Sequence, residues 1–392
     1  PTVARRYVPS RPAEALRLVT TGLAGWTDAG VADARDHVAV IALLDPTRAQ
    51  TEGLSTTLFK RTPFTPEEVS RLQELAESYG YRVLYAPGLE PFEEVGEFIA
   101  NPDHDTLIAN YPLDISPATD DRPFFFNLIL LGDLLDPTLS GSGVYRTSME
   151  AIYILFAVIG VTATLSMLFI LLPLWLGSRR RQLARPSTPT VAYFGMLGLA
   201  FMMVEIPMIQ KLTVYLGQPV YSLAVVLFSL LLFSGIGSWW SGRWSPDAIG
   251  NNLRRTFPAL IAFLLINAVV NSLILKATLH FGLGARLFVA VLLLSVLGFL
   301  MGIPFPVGIR WAGRRQPSVV PWLWGINGVT SVLGSALATA LAIHIGFRLT
   351  LIVATLVYAS AAALFFYMLR SSSSEAEPAL TDGHDLASPE PA

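Results

Sequence analysis

The sequence predicts a mostly α-helical polytopic membrane protein of about seven transmembrane helices, preceded by part of an α/β soluble domain. Three observations lead there. Apolar residues make up 53% of the 392 positions and charged residues only 14%, against about 25% charged in a soluble average. The acids are segregated: 21 of 29 lie in residues 1–149, three in 150–370 (Glu150, Glu205, Asp247) and five beyond. Between 150 and 370 the chain is a succession of apolar runs, several reaching the roughly 20 residues that a bilayer crossing takes. The reading divides the chain at 1–115 (soluble), 116–149 (a charged motif and linker), 150–370 (membrane) and 371–392, a Ser/Glu/Pro-rich tail expected to be disordered.

The soluble part reads α-β-β-α-β. Residues 12–29 place Leu16, Val19, Leu23 and Trp26 three or four apart, a helical spacing. His37–Leu44 is a short apolar run and Ser55–Arg61 is rich in β-formers, so both predict strands. Thr65-Pro66-Glu67-Glu68 joins an N-cap, a proline at the first helical position and a Glu three after the cap, which opens a helix ending at Gly80. Tyr81–Tyr85 follows as a strand. Buried strands alternating with helices suit part of an α/β domain. A glycine-rich turn between strand and helix, which a nucleotide-binding unit needs, is absent: the Gly-x-Gly pairs at 141/143, 235/237 and 282/284 lie in a linker, a span and a loop.

The membrane part gives seven candidate spans: Ala151–Leu176, Val191–Gln210, Pro219–Trp240, Phe257–Leu275, Leu287–Ile309, Pro321–Ile345 and Phe347–Leu369. Pro207 removes a backbone donor and favours a kink or helix end. Gly217 and Pro219 mark the turn into the next span, on which Ser234, Ser238 and Gly242 recur every four residues and allow close helix approach. Pro304 and Pro306 break the last turn of the fifth span. The sixth carries Ser331, Ser335 and Thr339 on one stripe and Gly334, Ala338 and Ala342 on the next, so it should be central and tightly packed. Lys and Arg near span ends number 11 on one side and five on the other. The positive-inside rule makes the first side, with the C-terminus, cytoplasmic. With seven spans the soluble part is then outside.

Composition excludes several chemistries. There is no cysteine, hence no disulfide, thiolate nucleophile or cysteine metal site. His37, His104, His280, His344 and His384 are scattered without ligand spacing, so no metal is expected. No basic, aromatic-interleaved face suggests a nucleic acid. Arg5, Arg6, Arg11 and Arg17 are not followed by the apolar core of a signal peptide.

Several segments together resemble one family. GLAFMMVEIPMIQKLTVYLGQPVYSLAVVLFSLLLFSGIGSWWSGR, the GIPFPVGIR end, WLWGINGVTSVLGSALATALAIHIGFR and ATDDRPFFF, in this order of kind, resemble the bacterial integral-membrane spermidine synthase-like proteins. In these a methyltransferase-type Rossmann domain is joined to multi-pass membrane segments. The KRTPFTPEE run is similar to the late strand and helix of that domain, and the likeness covers most of residues 50–370. It implies a partial Rossmann-like domain in a bacterial cytoplasmic membrane. It also implies a parent protein that is an aminopropyl- or methyltransferase using S-adenosylmethionine or a decarboxylated derivative, with a polyamine or another small cation as a candidate substrate. The cofactor-binding first half belongs upstream, so this chain is expected to be the C-terminal portion, to bind no cofactor alone and to lack activity by itself. A cytoplasmic cofactor runs against the outside placement of the soluble part.

Two kinds of candidate site follow. Asp120, Asp121 and Arg122 form a compact charged cluster before three phenylalanines, read either as a capped turn or as a carboxylate pair for a substrate amine. Within the spans, the polar candidates are Glu205, Gln210, Lys211, Asn267, Asn271, Asn327 and His344. An acid in a membrane run is expensive and faces protein or water. Glu205 is read as a site for a polyamine or other small cation, as a proton relay, or as a structural acid. Glu205 and Lys211 are six apart and face each other only if the helix breaks at Pro207. The alternatives to a transferase are a transporter or polyamine- or lipid-handling protein with a vestigial soluble domain, and a non-catalytic scaffold.

Overall fold

A computed structural model describes residues 1–43, 53–129, 143–181 and 185–374. The chain divides into two compact units, Pro1–Ile154 and Leu155–Ala392. The proposed linker after Ile129 and the tail beyond Ser374 lie largely outside the described residues.

The first unit is built on four strands, β1 (Thr2–Tyr7), β2 (Val38–Leu43), β3 (Gly53–Phe59) and β4 (Tyr81–Tyr85). Their order in the sheet is β1-β3-β2-β4 and all three pairings are antiparallel. The expected Rossmann-like sheet would instead be mostly parallel. The five predicted elements are present, as α1 (Ala13–Asp28), β2, β3, α2 (Pro66–Ser78) and β4. The sequence reading missed β1 and two short helices, α3 (Glu93–Ala100) and α4 (His104–Asn110). The predicted cap forms. Thr65 Oγ1 accepts from Glu68 N at 3.3 Å, Glu68 Oε2 accepts from Thr65 N at 2.8 Å, and Gly80 leaves the helix at φ 73°. The core packs Leu16 and Val19 of α1 against Val38, Val40, Leu84 and Ile99.

In the second unit, six helices among the described residues are long and apolar enough to cross a membrane. The first, Ile152–Gly177, joins α5 (Gly143–Ser166) to α6 (Leu172–Arg181) through one π-helical turn, Met167–Leu171, just before Pro173. Only 6% of its most apolar window is buried, against 56% for α7 (Thr188–Leu216). That contrast makes α7 the hub. Of the expected kink or helix end at Pro207, the helix end does not occur: α7 continues through it. The chain leaves α7 at Gly217, φ 80°, and Pro219 opens α8 (Pro219–Gly242). Next come α9 (Ala248–Thr278) and α10 (Leu283–Met301). The helix breaks just before Pro304, where the sequence expected it, but Pro304 is the first residue of a new helix, α11 (Pro304–Arg315). The fixed proline φ and missing N–H suit that position.

The last two predicted spans fall within one 55-residue helix, α12 (Val320–Ser374), interrupted at Gly346 with φ 84° and ψ 168°. A continuous helix of that length would run about 80 Å, against a hydrocarbon core of about 30 Å. Small residues set the packing. A Cβ at Gly198 would collide with the Asn327 carbonyl, one at Gly237 with the Phe299 carbonyl, and one at Gly302 with the Ser234 backbone. α7 therefore lies directly on α12, and α8 on the α10–α11 junction. The close approach on α8 runs through Gly237 and Ser234, while Ser234, Ser238 and Gly242 all line a cavity.

Candidate functional site

In the first unit, the side chains that come together do so at the start of α1. Arg17 lies on a stripe with Ala13 and Thr20 and is 1% exposed. Its Nη2 is 3.7 Å from Asp114 Oδ2, and its Nη1 donates to the Asn127 carbonyl. Asp114 is also buried. It accepts from Ser116 N at 3.1 Å, Ser116 Oγ at 2.5 Å and Arg122 Nη2 at 3.0 Å. Burial pushes Arg17 below its ordinary pKa, and Asp114 acts against that shift. Thr119 and Arg122 close a tight turn with Asp120 and Asp121 at its tip, Arg122 N donating to Thr119 O at 3.0 Å. Arg122 thus reaches inward to Asp114, and Asp120 stays exposed. Phe125 and Phe126 lie over the Arg5 guanidinium at 5.1 and 5.8 Å.

A second group sits at the carboxyl end of β1. The Tyr7 hydroxyl donates to Glu93, whose backbone holds φ 56°. That left-handed conformation is uncommon for a residue with a side chain and marks local strain. Burial raises the Tyr7 pKa, and the bond to Glu93 adds to it. Burial also raises Glu94, while a hydrogen bond from Tyr111 opposes the rise. Tyr111 is raised by burial and by Glu94. Two tyrosines and two carboxylates therefore share the space beyond the end of β1.

The intramembrane candidates distribute over α7, α9 and α12. Glu205 is 9% exposed and Lys211 6%. Because α7 continues through Pro207, they remain six residues, about 9 Å of helix, apart. Gln210 is exposed. On α9, Asn267 and Asn271 are 3% and 2% exposed. Asn267 Nδ2 donates to the Phe263 carbonyl at 3.0 Å, and Asn271 Nδ2 lies 3.5 Å from Asn267 Oδ1 and 3.7 Å from Met208 Sδ of α7. The Asn271 Oδ1 has no donor. Seven residues on, Tyr215 OH and Thr278 Oγ1 are 2.8 Å apart. Both contacts have a separation of 63 in sequence, so α7 and α9 run parallel. The same register brings Glu205 level with Asn267 and Asn271. Asn327 Nδ2 donates across to the Phe194 carbonyl of α7 at 3.1 Å. His344 is half-buried, two residues before the Gly346 break.

The helical unit also holds a partly open cavity of about 750 Å³, bounded by α7, α8, the α10–α11 junction and α12. Its walls are mainly apolar, among them Phe201, Leu231, Met301 and Phe305; Asn327, Ser331 and Arg310 supply polar groups. Glu205 is not among its lining residues. No group of three or more acids or histidines able to hold a metal occurs among the described residues.

Sequence reasoning missed Arg17, Asp114, Tyr7, Glu93 and Arg310. Arg17 was legible as a charge on a stripe of small residues otherwise facing the core; the carboxylates at Tyr7, Glu93 and Glu94, come from one segment far from it in the chain. Comparison with protein-family models, curated proteins and solved structures finds no match.

Proposed function

We propose that the chain is the C-terminal portion of a membrane-bound, spermidine synthase-like transferase of the S-adenosylmethionine type, and that it is not catalytically competent alone. The observation that carries this reading is the direction of the strands. β3 pairs antiparallel with both β1 and β2, so β1 and β2 run the same way, joined through α1. That is the β-α-β crossover of an α/β sheet, with a third strand inserted. β1 is an edge among the described strands, open to the rest of a Rossmann-like sheet. Ligands of such sheets bind beyond the carboxyl ends of the strands, where Tyr7, Glu93 and Glu94 gather. Carboxylates there suit a polyamine.

In this reading α12 is two spans divided at Gly346, making seven, in a bacterial cytoplasmic membrane with the C-terminus inside. The test is calorimetric titration with S-adenosylmethionine and its decarboxylated derivative. The expected result is no saturable binding to this chain and binding to the product of the longer reading frame. Saturable binding or aminopropyl transfer by the chain alone would refute the lack of competence. Absence of a strand–Gly-x-Gly–helix segment upstream in that frame would refute the transferase reading. The lack of cysteine makes the sidedness directly measurable. An impermeant maleimide reaching Ser70→Cys only from outside contradicts a cytoplasmic cofactor.

A second reading rests on Glu205, held level with Asn267 and Asn271 by the α7–α9 register: transport or binding of a polyamine or another small cation, or proton relay. It expects Glu205→Gln to abolish uptake into vesicles. Unchanged uptake and binding count against it.

A further inference from the structure

We propose that the cavity between α7, α8, the α10–α11 junction and α12 holds the acyl chain of one membrane phospholipid with an anionic headgroup, whose phosphate rests at Arg310. The volume of about 750 Å³ falls within the range of small-molecule sites, roughly 300–1,000 Å³. A glycine adds to the space. Gly237, Gly302 and Gly198 are each explained by a neighbouring helix that a Cβ would strike. Gly235 lines the cavity, sits inside α8, and a Cβ there would meet nothing within 4 Å. Helical glycine costs about 1 kcal/mol relative to alanine. Packing and backbone conformation give no reason for it, whereas an occupant of the cavity does.

The chemistry of the occupant follows from the cavity's charged end. Arg310 Nη1 donates to the Gly242 carbonyl at 2.9 Å and Nη2 to the Ser241 carbonyl at 2.5 Å, while its Nε is buried without an acceptor. No carboxylate lines the cavity, and Arg310 forms no ion pair among the described residues. Arg314 is one turn along α11, and Arg243 directly follows the lining residue Gly242. The depth is also right for a headgroup. Arg243 stacks on Trp239 at 3.5 Å, Arg315 on Trp311 at 4.2 Å, and Trp240 meets Trp244 edge-on at 5.3 Å. Such Trp and Arg clusters mark the membrane–water interface. An apolar chain between the helices and a phosphate at the basic interface satisfy both ends of the site, and a guanidinium is the side chain best matched to phosphate. Asp247, the nearest acid in sequence, is exposed.

The test is native mass spectrometry of the delipidated full chain, offered phosphatidylglycerol or phosphatidylcholine with identical acyl chains. The expected result is one phosphatidylglycerol retained per chain, in preference to phosphatidylcholine. Gly235→Phe, which places a ring in open space, loses it with no fall in Tm. Arg310→Gln weakens it about tenfold or more, the scale of one charge-assisted hydrogen bond, and Arg310→Lys keeps most of the preference. Equal retention of the two lipids overturns the proposal, as does undiminished retention by Gly235→Phe or by Arg310→Gln. Should Arg310→Gln fail to fold because α8 loses its cap, Gly235→Phe and the headgroup comparison decide.

Discussion

Removing the Asp114 carboxylate tests how the first unit is held together. Asp114 takes hydrogen bonds from Ser116 at 3.1 and 2.5 Å and from Arg122 at 3.0 Å, with Arg17 at 3.7 Å. Arg17 is 1% exposed, so Asp114→Ala leaves a guanidinium buried without its counter-charge. Breaking a buried pair from one side costs about 3–5 kcal/mol, a large part of the roughly 5–15 kcal/mol by which a domain is stable. Hydrogen exchange of the full chain in detergent resolves the effect, because local opening is read amide by amide. Protection in α1 and β2 should fall about a hundredfold or more. Asp120→Ala, at the exposed tip of the turn, should change it by less than about fivefold. The double variant Arg17→Met/Asp114→Leu should recover much of the loss, since an apolar pair removes the buried charges together. Equal effects at Asp114 and Asp120 would sink the reasoning and return the Asp-Asp-Arg turn to the catalytic candidates.

Three further outcomes are expected. Gly237→Ala drives a Cβ into the Phe299 carbonyl and should lower the stability of the helical unit by about 1–3 kcal/mol, while Gly235→Ala leaves it unchanged or raised by up to ~1 kcal/mol; thermal melts in one detergent compare the two. Thr65→Ala removes the acceptor for Glu68 N and should cost about 1 kcal/mol, read as faster exchange in the first turn of α2. Burial raises the Glu94 pKa in the folded state, so the folded state holds its proton longer than the unfolded one. That contribution is intact below the unfolded pKa and lost as pH rises through the folded one. Glu94→Gln should therefore gain on wild type as pH rises from ~4 to ~8, and a stability difference, variant minus wild type, that falls over this range contradicts this.

What the sequence made legible was local. The capping box at Thr65–Glu68, the turn at Gly217–Pro219 and the apolar runs each write their cause within a few residues. β1 escaped because TVARRY puts two arginines in six residues, so pairing with β3 decides its conformation more than its own pattern does. The helix end read at Pro207 failed for the opposite reason. The proline's lost hydrogen bond weighs about 3 kcal/mol against continuing the helix, but Met203, Val204, Met208 and Leu212 around it are all buried, and their packing outweighs that loss. The membrane candidates were legible as polar letters in apolar runs. Their relationships were not, because register between α7 and α9 is a property of two helices and neither sequence states it alone.

That register bears on why Glu205 is where it is. On one side α7 is fixed against α12: Gly198 admits the Asn327 carbonyl, and Asn327 reaches back to the Phe194 carbonyl. On another, Met208 and Tyr215 meet Asn271 and Thr278. Sliding α7 by one turn would break both sets together, so the depth of Glu205 is set by two independent interfaces. An acid tolerated only as a packing remnant needs no such definition, since water or a small shift would relieve it. Glu205 instead stays buried at the level of Asn271, whose Oδ1 has no donor. A buried acid at the level of an amide oxygen without a donor favours a group that supplies a proton or a positive charge. That complementarity, more than the mere presence of an acid in a span, keeps a cation-handling role in contention beside the transferase reading.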